Sequence, residues 1–93
     1  MINEGFIELA KQKVAEYTNN NVLSEEQGTI DFSQVFVVWY SKTLQNHKAL
    51  LATPVNGDRH YYEATYNGDK KQLYLDVYAK QENKCFNREA IKE

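Results

Sequence analysis

The sequence predicts an α+β fold: an N-terminal helix packed on a four-stranded antiparallel meander sheet. Three observations lead there. Apolar residues recur at helical spacing near the N-terminus, a β-branched and aromatic run fills the middle of the chain, and two alternating stretches flank Asn67-Gly68. The connections are short, and strands adjacent in sequence usually pair, which gives the meander order.

From Asn3 to about Thr18, the residues Phe6, Leu9, Ala10, Val14 and Tyr17 fall on one helix face, and Lys11, Gln12 and Glu16 lie opposite. Asn3 can cap this helix, and Glu4 and Glu8 suit its positive end. The pattern fails at Asn19-Asn20-Asn21. Residues 19–33 therefore read as a loop with room for one short helical turn.

The run Val35-Phe36-Val37-Val38-Trp39-Tyr40 predicts a strand over about 34–44, central in the sheet with both faces at least partly covered. Gln45-Asn46-His47 reverses the chain into a second strand, about 48–54, which ends at Pro54. After a turn at Asn56-Gly57-Asp58, the third and fourth strands, about 59–66 and 71–80, form a hairpin around Asn67-Gly68. A two-residue turn there sets Tyr66 opposite Asp69, Tyr62 opposite Leu73 and Tyr61 opposite Tyr74. Tyr62, Ala64, Leu73, Leu75, Val77 and Ala79 then line the core, with Tyr61, Glu63, Thr65, Tyr74, Asp76 and Tyr78 on the other face. A three-residue turn would exchange the faces of one strand. The tail, residues 83–93, has a short helical pattern through Arg88-Glu89-Ala90-Ile91.

Length and composition narrow the function classes. The 93 residues, 42% hydrophobic with four Gly and one Pro, suit one small globular domain spanning 1–93. The single cysteine, Cys85, leaves no intrachain disulfide and points to a reducing compartment. Neither an export signal nor a membrane span is indicated. The first 39 residues carry two Lys against six Asp and Glu, and the rest nine Lys and Arg against seven, so the net charge is −2. That balance lacks the basic excess of a duplex-binding domain.

His47 and His60 read as surface or edge residues, because neither shares metal-ligand spacing with Cys85 or a carboxylate. No metal or other cofactor is expected. Ser41, Thr43, His47 and Asp58 can be arranged on paper as a nucleophilic set, but no nucleophile elbow, phosphate loop or paired-carboxylate scaffold supports catalysis. The aromatic content says more. Tyr61, Tyr74 and Tyr78 on one sheet face, with Glu63 and Asp76 between them, suit a protein interface. The same rings, with Lys70 and Lys71 nearby, offer a stacking platform for single-stranded nucleic acid, which the two acidic residues oppose. Cross-strand tyrosine pairs that only stabilise the sheet would look alike.

The segments Val37 to Leu51, Tyr61 to Lys70 and Leu73 to Lys80 resemble an uncharacterised family of small proteins encoded by temperate phages and prophages of Gram-positive bacteria. The resemblance runs from the N-terminal helix to about Phe86. It implies a phage accessory protein in the cytoplasm of a bacterial host, and it supplies no activity. The functional expectation is a non-catalytic module that binds a host or phage protein and can self-associate through its tyrosine face. Single-stranded nucleic acid is the alternative partner.

Overall fold

A computed structural model describes residues 3–82 and 84–87. Helix α1 (Asn3–Asn21) is followed by two single 3-10 turns, Glu25–Gln27 and Phe32–Gln34. Four strands follow: β1 (Phe36–Thr43), β2 (Asn46–Ala52), β3 (His60–Asn67) and β4 (Gln72–Ala79). They form one antiparallel sheet in the order β1-β2-β3-β4, with α1 packed on one face. The expected C-terminal helical turn, like the side chain of Asn3, lies outside the described residues. No helix among the described residues is long and apolar enough to cross a membrane.

The helix buries the face its periodicity marks: Phe6, Ala10 and Val14 are fully enclosed, together with Thr18. They meet Val35, Ala49, Leu51, Tyr62, Ala64 and Tyr66 across the sheet. Each large side chain so enclosed contributes roughly 1.5–3 kcal/mol. Contrary to expectation, α1 continues through the asparagines. The Thr18 carbonyl accepts the N–H groups of Val22 (3.0 Å) and Leu23 (2.9 Å), and Asn21 Nδ2 donates to the Tyr17 carbonyl at 3.1 Å. Asn19 has another task. Its Nδ2 donates to the Ile30 carbonyl (3.0 Å) and its Oδ1 accepts the Ile30 N–H (2.8 Å), so one side chain clamps the loop to the helix. Asparagine is a poor helix former in isolation, but these bonds and the burial of Thr18 override propensity.

Two strand expectations are corrected. β1 is an edge strand with one face open, not a central strand covered on both sides. A bulge between Val37 and Trp39 breaks its alternation and leaves Phe36, Val38 and Trp39 exposed. A continuous apolar run reads as doubly buried only if both faces find cover, and among the described residues a helix, α1, covers one. The β3–β4 hairpin also differs in register: Tyr66 faces Leu73, Tyr62 faces Val77 and Tyr61 faces Tyr78. Asn67 pairs with Gln72, so the connection runs through residues 68–71 rather than turning at Asn67-Gly68. Asn67 Oδ1 accepts the N–H groups of Asp69 (3.1 Å) and Lys70 (3.2 Å), and Lys71 takes the left-handed conformation at φ 53°. Because the offset from the expected register is even, every side chain stays on its expected face.

Gly68 serves close approach rather than turn geometry. A Cβ there would lie 2.3 Å from the Gln45 carbonyl oxygen and 2.6 Å from Gln45 Cβ, because the β1–β2 turn presses against the β3–β4 turn. Asn46 Oδ1 ties the two by accepting the Gly68 N–H at 3.1 Å. Gly68→Ala should therefore cost about 1–3 kcal/mol, read as a lower urea midpoint at unchanged slope. An unchanged midpoint would mean that the two turns do not touch in solution.

Candidate functional site

The sheet has one covered face and one open face. The open face carries Trp39 and Ser41 from β1, Lys48 and Leu50 from β2, Tyr61, Glu63 and Thr65 from β3, and Tyr74, Asp76 and Tyr78 from β4. The residues singled out from sequence, Tyr61, Glu63, Tyr74, Asp76 and Tyr78, thus share one surface. Trp39, which sequence reasoning had assigned to a doubly covered strand, joins them. Its ring is 42% exposed, against 39% for Tyr61, 52% for Tyr74 and 50% for Tyr78.

The charges on this face are arranged at a cost. Glu63 and Asp76 stand directly opposite each other on β3 and β4, and like charges in that position destabilise a sheet. Lys48 Nζ lies 3.4 Å from Glu63 Oε1, and no ion pair to Asp76 occurs among the described residues. The Tyr61–Tyr78 pair lies immediately beyond, and the Glu63 charge, with lesser effects of burial and of Asp76, raises the Tyr78 hydroxyl above its ordinary pKa. Tyr74 donates its hydroxyl to Gln72 Oε1 at 2.7 Å. The result is an aromatic surface that carries two facing carboxylates, one of them paired with Lys48.

A second polar cluster sits at one end of the helix-facing side. Asp58, its side chain only 1% exposed, accepts hydrogen bonds from Thr53 Oγ1 (2.6 Å), Tyr62 Oη (3.1 Å), the His60 N–H (3.2 Å) and His60 Nδ1 (2.8 Å). Thr18 Oγ1 donates to Tyr62 Oη at 3.4 Å, which links the cluster to α1. Burial pushes the Asp58 carboxyl up, but the bonds from Thr53, His60 and Tyr62 outweigh it and hold the group below its ordinary value. The threonine hydroxyl is bonded to the carboxylate itself and not to the imidazole. The nucleophile–base–orienter order of a catalytic triad is therefore not formed. The cluster anchors the 53–59 connection to β3.

The nucleophilic set drawn from sequence does not assemble. Ser41 is on the open face, whereas His47 points to the helix side, and Asp58 belongs to the cluster above. His47 itself corrects an expectation, being 2% exposed and in β2, not at the surface. It stacks on Phe6 at 5.1 Å, and its Nδ1 lies 2.6 Å from Tyr40 Oη in a hydrogen bond, which makes burial of a polar ring affordable. Among the described residues no three His, Cys, Asp or Glu side chains gather as a metal cluster.

Residues 7–88 match a protein family of unknown function, DUF6275. This chain belongs to that family. The matched span runs from α1 through the end of β4, so the DUF6275 unit is the helix and sheet together. Neither a curated protein nor a solved structure matches this DUF6275 chain.

Sequence reasoning missed one residue of the open face and one pairing in the buried cluster. Trp39 was hidden by the bulge, which no composition signal marks. Asp58 and His60 sit two residues apart at a strand start, and that Asp-x-His spacing beside Thr53 was the available signal for the buried cluster.

Proposed function

We propose that this protein is a non-catalytic phage accessory protein that acts in the bacterial cytoplasm by binding a host or phage protein through its open sheet face. The observation that carries the reading is the group of half-exposed Trp39, Tyr61, Tyr74 and Tyr78 on the same face as the Glu63–Asp76 pair. Large rings with polar tips contribute contact area at small entropic cost, and hot spots are enriched in them. The carboxylate pair, of which Lys48 matches only Glu63 among the described residues, favours a partner segment bearing Arg or Lys, whose cation can sit over a ring and against Asp76 at once. The phage setting is supported by the resemblance of Val37 to Leu51, Tyr61 to Lys70 and Leu73 to Lys80 to proteins encoded by temperate phages and prophages.

The surface bookkeeping agrees with an uncovered face. The accessible area is 7006 Å², whereas a compact monomer of 10.9 kDa exposes about 5,600 Å². Residues 80–82 and 84–87, exposed and outside the helix and sheet, account for part of the excess. The smallest dimension, 18 Å, is that of one sheet and one helix.

The test is affinity capture of the tagged full chain from induced lysogenic cells, with and without nuclease, followed by mass spectrometry. A partner that survives nuclease and binds at least about tenfold more weakly to Tyr78→Ala or Asp76→Lys supports this reading. Both side chains are exposed, so the circular dichroism of both variants should match the parent, with melting slightly lower for Tyr78→Ala, which loses its pair with Tyr61, and slightly higher for Asp76→Lys, which relieves the repulsion with Glu63. Retention that vanishes with nuclease would replace it by single-strand binding on the tyrosine rings.

A further inference from the structure

Among the described residues both outer strands of the sheet have an unpaired edge, but they are not equivalent. β1 is interrupted by its bulge at Val38 and carries Lys42, two devices that discourage edge-to-edge pairing. β4 has neither. From Gln72 to Ala79 it contains no Pro, Gly or Lys, its pairing to β3 runs without a register shift, and no described strand lies on its other side. Its helix-side residues, Leu73, Leu75 and Val77, are only half-buried, and Leu73 and Leu75 line an open groove with Leu9 and Tyr17 of α1. An unpaired backbone edge beside incompletely covered apolar side chains is a surface that a further strand completes.

We propose that the occupant is β4 of a second copy of this chain, paired antiparallel about a two-fold axis through Leu75, so that two sheets join into one. The axis is fixed by the residues. Antiparallel pairing about a two-fold keeps each copy's helix on the same side, so residues that oppose each other must share a face. Centring on Asp76 would set two carboxylates against each other, and centring on Tyr74 shortens the overlap. Centring on Leu75 pairs Leu75 with itself, Leu73 with Val77 of the second copy, and Tyr74 with Asp76 of the second copy, whose carboxylate gains a phenol beside it. Leu73, Leu75 and Val77 of each copy then cover one another. On the other side the tyrosines of both copies form one continuous aromatic surface. This pairing goes beyond the partner reading and stands whatever the open face binds.

The experiment is sedimentation equilibrium of the full chain up to about 1 mM, where even a weak contact populates, combined with hydrogen exchange resolved along β4. The expected species has twice the 10.9 kDa of one chain, with outward-facing β4 amides that become protected as concentration rises. Tyr74→Asp, at a half-exposed position, places acidic pairs across the axis on both sides and should weaken the dimer at least about tenfold. Tyr74→Lys faces Asp76 and should retain it. A single-chain mass at every concentration, or a dimer whose β4 amides exchange as fast as the monomer's, overturns the edge pairing. A dimer that tolerates Tyr74→Asp overturns the Leu75-centred register.

Discussion

Phe6→Ala should lower the stability of this domain by about 3–5 kcal/mol, the range for truncating an enclosed aromatic ring. Phe6 is fully buried, stacks on His47 at 5.1 Å and lies 5.8 Å from Tyr40. The cavity left behind would open beneath α1, which covers the sheet, next to a buried imidazole whose hydrogen bond to Tyr40 depends on dry surroundings. A domain of this length has a total stability of roughly 5–14 kcal/mol. The variant should therefore lose from about a fifth to all of that stability, read as a proportionally lower urea midpoint at unchanged slope. A loss below about 1 kcal/mol would mean that α1 is not seated through Phe6.

Asp58→Asn should cost about 3 kcal/mol and change how stability depends on pH. The substitution keeps the shape but leaves one oxygen to accept what two oxygens now accept from Thr53, His60 and Tyr62. In the parent the carboxyl titrates below its ordinary value when folded. Its contribution is therefore complete above the unfolded value of about 3.9 and is lost as pH falls through the lower folded value. Tyr62 sets the opposite limb. Burial chiefly, and the Asp58 charge as well, push its hydroxyl up to about 12, although the Thr18 bond works the other way. Its contribution is complete below the ordinary tyrosine value of about 10 and is lost as pH rises towards 12. Urea unfolding from acid to alkaline pH should show a dome with both limbs. Asp58→Asn should flatten the acid limb and Tyr62→Phe the alkaline one. An acid limb that survives Asp58→Asn at full slope would remove Asp58 as its origin.

The fold was legible wherever a period survives locally. Phe6, Ala10 and Val14 mark the buried side of α1, and the alternation of Tyr61 to Tyr66 and Leu73 to Tyr78 assigns every face of the hairpin correctly even though its register was not. What failed was set by contacts between distant residues. Asn67-Gly68 carries the composition of a tight turn, but Gly68 is required by Gln45, more than twenty residues away in the chain. The asparagines after Thr18 resemble a loop until Asn19 is seen to hold Ile30. His47, beside a turn, reads as exposed because nothing local records the arrival of Phe6 above it. The open face was legible for the same reason as the hairpin, since period-two alternation places Tyr61, Glu63, Tyr74, Asp76 and Tyr78 together at any even offset. Trp39 was not, because a bulge has no such period.

The meander order has a kinetic consequence. Every strand pairing closes a short loop between sequence neighbours, so the sheet can zip hairpin by hairpin without long-range search. The helix closes the long loops: Thr18 meets Tyr62 across 44 positions. Docking of α1 is then the late event on the folding route, and a transient sheet bare on both faces precedes it. Chevron measurements should show Phe6→Ala and Val14→Ala accelerating unfolding with little change in folding rate, while Gly68→Ala, at the junction of the two hairpins, slows folding. The opposite partition would place the helix, not the hairpins, in the folding nucleus.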